Sequence, residues 1–361
     1  MIIYLFLLVS IAIPDFLFNN RKLTTEKYIY IVVYIMLATF VASFRDMIGG
    51  YDIYIYKSYF DSVGEFGNYY NYELGYYYSN LLLSSLDFEF SIFVFVSSTL
   101  ILISTFSMVS IYSRLSFLAL LILFAKFYLM SYVYIRQGIA MGVAWYSLVY
   151  LFKDERLKYI SILVLASFFH LSALIFAVTY FCYRKPFSKK IIVSLFTITF
   201  LLGLTPLISY MTSFIGDVSG ISKLSKYGGN QGGINFFYIL EAFGLAFLAI
   251  LTTQFKVFFT KKQSLFFNLF VVYVATNLLV LRDATALRYS WYYLIGLAVA
   301  IPHIIEYIKN KPTRMIIKFS VVLYFSALFI RTLLIWDGGD FSPYKSIFQD
   351  FDRNGRWEHM G

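Results

Sequence analysis

The chain contains one cysteine, Cys182, and three histidines, His170, His303 and His359. A lone cysteine excludes an internal disulfide and a cysteine-built metal site, and three scattered histidines are too few for a histidine-built one. No metal and no cofactor is expected. Charge is equally scarce: Asp, Glu, Lys and Arg make up 14% of the chain, against about 25% in a soluble domain. Six prolines in 361 residues supply no long linker, so residues 1–361 are expected to form a single membrane domain. P-loop, GxGxxG and HExxH patterns are missing as well. Their absence argues against an ATP-driven pump and against a nucleotide-sugar transferase.

What is present is apolar and aromatic, at 60% and 21% of the chain. Backbone in lipid must satisfy its hydrogen bonds within its own helix, so the expected fold is all-α: a polytopic integral membrane helix bundle. At roughly 20 apolar residues per crossing, about 10–12 transmembrane segments fit. Candidate spans are 2–18, 28–44, 90–112, 115–131, 136–152, 191–210, 234–255, 263–281, 287–308 and 315–335. The opening MIIYLFLLVSIAIP lacks a basic n-region and a small-residue cleavage site, and reads as a first span.

The +10 net charge is distributed in a way that points to topology, not to nucleic acid. Eighteen of the 30 Lys and Arg residues fall in six clusters: Arg21–Lys27, Arg114, Lys153–Lys158, Arg184–Lys190, Lys256–Lys262 and Lys309–Lys318. Placing all six inside satisfies the positive-inside rule. It leaves a Tyr-rich loop at 45–89, with a short amphipathic helix around Gly75–Leu86, a Gly-rich loop at 211–233 and a tail at 336–361 on the outer face. The run Tyr159–Tyr183 is apolar between two basic flanks. As a single crossing it would move the later basic clusters outside. A re-entrant hairpin of two half-helices, with its apex near His170, keeps them inside and is the expected form.

Residues that could carry chemistry gather on the outer side. Arg136 and Gln137 stand at the outer end of a span, where a charge is costly unless it reaches water or a partner. A snorkelling arginine is the plain reading; Gly138, Ala140 and Gly142 imply a tightly packed helix and an inward-facing arginine. His170 is either a satisfied core residue or a proton carrier. Asp52, after Gly49-Gly50-Tyr51, and Glu73 are each either a general base or ligand for a sugar hydroxyl, or simple ion-pair partners of Arg45 or Lys57. Arg288, followed by Tyr289, has no obvious local partner, whereas Arg282 and Asp283 are adjacent and can neutralise one another. Arg45, Arg136 and Arg288 together could surround a diphosphate. The ten tyrosines from Tyr51 to Tyr78 suit a surface that meets sugar rings.

These motifs follow an order: FRD (Phe44–Asp46), GGYD (Gly49–Asp52), E-x-x-Y (Glu73–Tyr76), RQGIA (Arg136–Ala140), FHLSAL (Phe169–Leu174), Arg288-Tyr289 and SPYKSIF (Ser342–Phe348). In this the chain resembles the EpsG-like branch of the Wzy-type polysaccharide polymerases, over most of its length. The resemblance implies a metal-independent, inverting glycosyltransferase of the bacterial inner membrane, with its active site facing outward. Its donor and acceptor would be undecaprenyl-diphosphate-linked repeat units of an O-antigen or capsule, with or without a chain-length regulator as partner. Arg136 and Arg288, with Arg45, would stabilise the departing diphosphate. Asp52 or His170 would take the acceptor's proton, with Glu73, Gln137, Tyr51 and Tyr289 binding substrate. A lipid-linked oligosaccharide flippase, which should show pseudo-repeated halves, and an O-antigen ligase are the alternatives.

Overall fold

The computed structural model describes residues 1–17, 24–113, 116–183, 185–206, 210, 236–255, 260–283 and 286–349. The Gly-rich loop 211–233 and the tail beyond residue 349 lie outside the described residues. The chain is an all-α membrane bundle. Among the described residues, its α-helices of eight residues or more are α1 (Ile2–Ala12), α2 (Thr25–Ser43), α3 (Gly50–Phe66), α4 (Leu74–Ser85), α5 (Phe90–Tyr112), α6 (Ser116–Leu123), α7 (Ile135–Phe152), α8 (Arg156–Ser167), α9 (Lys189–Gly203), α10 (Phe236–Thr252), α11 (Lys261–Leu279), α12 (Leu294–Glu306) and α13 (Lys311–Ile335). Three of them, α2, α5 and α13, are long and apolar enough to cross a membrane. The 23 residues of α5 reach about 35 Å at 1.5 Å per residue.

Helix α2 shows why lipid, not water, is its outer solvent. One face, with Ile31, Tyr34, Ile35, Ala38, Val41 and Ala42, is buried, while the opposite face exposes Ile29, Val32, Val33, Met36 and Phe40. A soluble helix would put charge on that second face.

By internal packing the chain divides into two units, Met1–Ala177 with Ile301–Gly361, and Val178–Ala300. In the first, α6 is buried on every side, from Ser116 to Leu123, which is the signature of a central helix. It runs into a π-helical turn, Phe124–Tyr128, that carries Lys126. Helices α5 and α7 pack closely, with the Ser104 side chain against bare backbone at Gly142: a Cβ added there would lie 2.0 Å from Ser104 Oγ. Within 45–89, α4 is the short helix expected around Gly75–Leu86, and α3 stands where a loop was expected, because Ile53, Tyr56, Phe60 and Val63 recur at helical spacing and find a buried face. A buried ion pair, Asp15 with Lys318 at 2.7 Å, ties the start of the chain to α13.

Helix α8 stops at Ser167, and a 3-10 segment, Leu171–Val178, follows His170. Tyr159 donates its hydroxyl to the carbonyl of Phe176, 17 residues on, at 3.1 Å. A straight helix would separate those residues by about 25 Å. The chain therefore reverses at His170, and the hairpin is real.

The tail up to residue 349 runs back along the end of α2. Asp46 N–H donates to the Lys345 carbonyl (2.9 Å), Ile347 N–H to the Phe44 carbonyl (3.1 Å) and the Tyr344 hydroxyl to the Val41 carbonyl (2.8 Å). In the second unit, buried Asn268 of α11 satisfies three backbone groups of the segment before α9: the carbonyls of Cys182 and Lys185 and the N–H of Phe187.

Candidate active site

Glu73 precedes α4 and is the hub of the site. Its Oε2 accepts from Arg136 Nη1 at 2.7 Å, and its Oε1 lies 2.7 Å from His170 Nδ1 and accepts from the Leu171 N–H at 3.2 Å. Three elements thus converge: the start of α4, the first turn of α7 and the apex of the hairpin. Their register is set by backbone. Gly75 N–H donates to the Phe168 carbonyl at 2.8 Å, and a Cβ on Gly75 would meet that same oxygen at 2.8 Å. Only glycine lets α4 sit so close to the hairpin.

Electrostatics make the cluster a fixed unit. Burial alone would raise the Glu73 carboxyl, but the His170 hydrogen bond and the Arg136 charge outweigh it and hold the pKa at about 2. An ionised Glu73 favours the imidazole tautomer with its proton on Nδ1, which leaves Nε2 as an acceptor. The three side chains are 19–22% exposed, enough to be reached by a ligand.

Arg136 also lies over the Tyr72 ring, 4.2 Å from its centroid, with Tyr76 at 5.6 Å. Its Nε is buried and has no hydrogen-bond partner among the described residues. Burial raises the Tyr72 hydroxyl pKa; Arg136 draws it back, and Tyr56, Tyr70 and the Asp52 carboxylate push it up again. Asp52, half-buried in the first turn of α3, therefore borders the same cluster.

The other candidates fall elsewhere. Arg45 is 2% exposed, and its guanidinium donates to the carbonyls of Ala42, Ile48 (3.0 Å) and Tyr132 (3.3 Å) and to Ser98 Oγ (2.6 Å), with its plane over Tyr132. The expectation that it grips a diphosphate is corrected: its donors are spent tying α2 to α5 and to the turn before α7. Glu73 does not pair with Arg45, and Lys57 pairs with Asp61 instead. Gln137 is buried behind Arg136. Tyr51 is 43% exposed at the start of α3. Arg288 and Tyr289 are half-buried in a 3-10 segment, Ala286–Tyr293, of the second unit. There Arg282 donates to the Leu204 carbonyl, and Asp283 caps that segment through the Ala286 N–H.

Sequence reasoning missed two contributors. Asp340 Oδ2 accepts from the N–H groups of Gly49 (3.1 Å) and Gly50 (2.9 Å), capping α3 from the far end of the chain. Tyr72 supplies the ring under Arg136; its place beside Glu73 in the sequence was the available signal.

An all-α bundle with helices long and apolar enough to cross a membrane defines a membrane protein, and within it a charged cluster is built from the start of α4, a hairpin apex and the first turn of α7. The chain belongs to the EpsG family, whose profile matches residues 27–346; this is a family of polysaccharide polymerase type. No curated protein and no solved structure matches the chain.

Proposed function

We propose that the protein joins undecaprenyl-diphosphate-linked repeat units into polysaccharide, on the outward-facing side of a bacterial inner membrane. The observation that carries this reading is Glu73 held between Arg136 and His170, at 2.7 Å from each. Arg136 faces the diphosphate as the bond from its oxygen to the anomeric carbon breaks, and opposes the charge that develops there. His170 takes the proton of the attacking sugar hydroxyl at Nε2 while the new carbon–oxygen bond forms on the opposite face, inverting the anomeric centre. Glu73 stabilises the imidazolium that results, as a carboxylate behind a catalytic histidine does. The proton then passes to water or to the released diphosphate. The step needs no cofactor, because the lipid diphosphate is itself the leaving group. Asp52, a second carboxylate whose charge reaches Tyr72, binds acceptor hydroxyls. The basic clusters on the opposite side of the topology support the outward orientation.

Purified protein incubated with a short-chain polyprenyl-diphosphate repeat unit should give a gel ladder at single-repeat spacing. His170→Ala and Arg136→Ala, folded by thermal melting, should each lose the ladder. Full activity in either removes that residue from the scheme. Movement of the lipid across a vesicle bilayer without a ladder would make the protein a carrier.

A further inference from the structure

Between α3 and α4 lies a short turn that is more rigid than a connector needs to be. Asn68 fixes it with three hydrogen bonds: its Oδ1 accepts from the Tyr59 hydroxyl (2.9 Å) and the Tyr72 N–H (2.9 Å), and its Nδ2 donates to the Tyr72 carbonyl (2.7 Å). The turn presents Tyr69, 42% exposed, and Tyr70, half-buried. Their rings lie 4.5 Å apart, and Tyr70 lies 5.4 Å from Tyr72 at 32°. Tyr72 in turn touches the Arg136 guanidinium at 4.2 Å. A continuous file of rings therefore runs from the surface to the charged cluster. Both rings rest on buried Tyr59, at 5.4 and 6.0 Å, and the Tyr69 hydroxyl is bonded to Ser62 at 2.9 Å, so the pair is held in place from behind. Such a fixed pair suits a ligand whose apolar faces stack on rings.

We propose that Tyr69 and Tyr70 form a subsite for the saccharide chain itself, separate from the diphosphate contacts, which retains the growing glycan between successive transfers. This rests on the polymerase reading above. Tyrosine is suited to the task, since it offers a large stacking face with few torsions to freeze.

The test is the length of polysaccharide made by the native producing cell, read on a gel, with the variant Tyr69→Ala/Tyr70→Ala replacing the wild type. Loss of two stacking faces speeds release, and the mean product should shorten by about fivefold. Tyr69→Phe/Tyr70→Phe should restore most of the length. Tyr78→Ala, an exposed tyrosine on α4 away from the turn, serves as the control and should leave it unchanged. Wild-type length in the double alanine variant overturns the proposal. So does equal shortening in Tyr78→Ala, which would make these rings anchors in the membrane interface. Failure of the polymerase reading is seen separately: cells without the protein would then make polymer of normal amount and length.

Discussion

Replacing Gly75 with alanine tests whether the site depends on the close docking of α4 against the hairpin. The added methyl would lie 2.8 Å from the Phe168 carbonyl oxygen, 3.1 Å from its carbon and 3.2 Å from the Phe168 Cβ. Ordinary contact begins near 3.4 Å, so the helix start must retreat by about 0.6 Å. That retreat stretches the 2.8 Å hydrogen bond from Gly75 N–H to Phe168, worth about 1 kcal/mol, and overpacking adds about 1–3 kcal/mol. Glu73, two residues earlier, moves with it, and both of its 2.7 Å contacts lengthen. Misplacement by about 1 Å can cost a hundredfold in rate, so a loss of about tenfold to a hundredfold is expected in the ladder assay, with a lower melting temperature in detergent. Gly64→Ala is the control. Nothing lies within 4 Å of its added methyl, and it should be neutral or stabilising by about 0.5–1 kcal/mol. Wild-type rate and melting in Gly75→Ala would show that the dock is not tight and that the site's geometry does not hang on it.

Three further outcomes are expected. Glu73→Gln removes the charge and keeps the shape. Because the folded state holds Glu73 down from 4.5 to about 2, its stabilisation is complete above the ordinary carboxyl pKa and is lost as pH falls through 2. The melting gap between wild type and variant should thus be open near neutrality and close on acidification; a gap that widens in acid refutes the assignment. Arg45→Lys cannot fork to four acceptors and should cost about 2–4 kcal/mol in stability. The KM for the lipid substrate in the folded remainder should stay unchanged, and a raised KM would return Arg45 to the binding site. Asp340→Ala should lower stability by about 1 kcal/mol through loss of a helix cap, while Asp340→Asn keeps most of it; equal melting of all three forms would show that the cap contributes nothing.

How much of this was legible in the sequence depends on the distance over which each signal acts. The bundle was legible from composition, because lipid imposes one backbone solution. The reversal at His170 followed from the basic residues on both flanks of one apolar run. Arg136 and His170 stood out as polar groups in apolar surroundings, and the structure joins them. What sequence could not supply was the joint. Glu73 lies 63 residues from Arg136 and 97 from His170, and nothing local distinguishes it from Asp52. Arg45 looked like a ligand because three of its four acceptors are backbone carbonyls, which leave no trace in side-chain chemistry. The helix around Gly75–Leu86 was legible, but α3 was hidden by the density of tyrosine, which reads as surface until its spacing places Tyr56 and Tyr59 inside with Ile53, Phe60 and Val63.

The hydrogen bonds from Gly49 and Gly50 to Asp340 span 291 and 290 residues. Helix α3 leaves the ribosome some 290 residues ahead of the carboxylate that caps it, so its amino end gains that partner only after Asp340 has been made. A chain that stops short of residue 340 would carry Glu73, Arg136 and His170 in full and still lack the carboxylate that closes the α3 end of their surroundings.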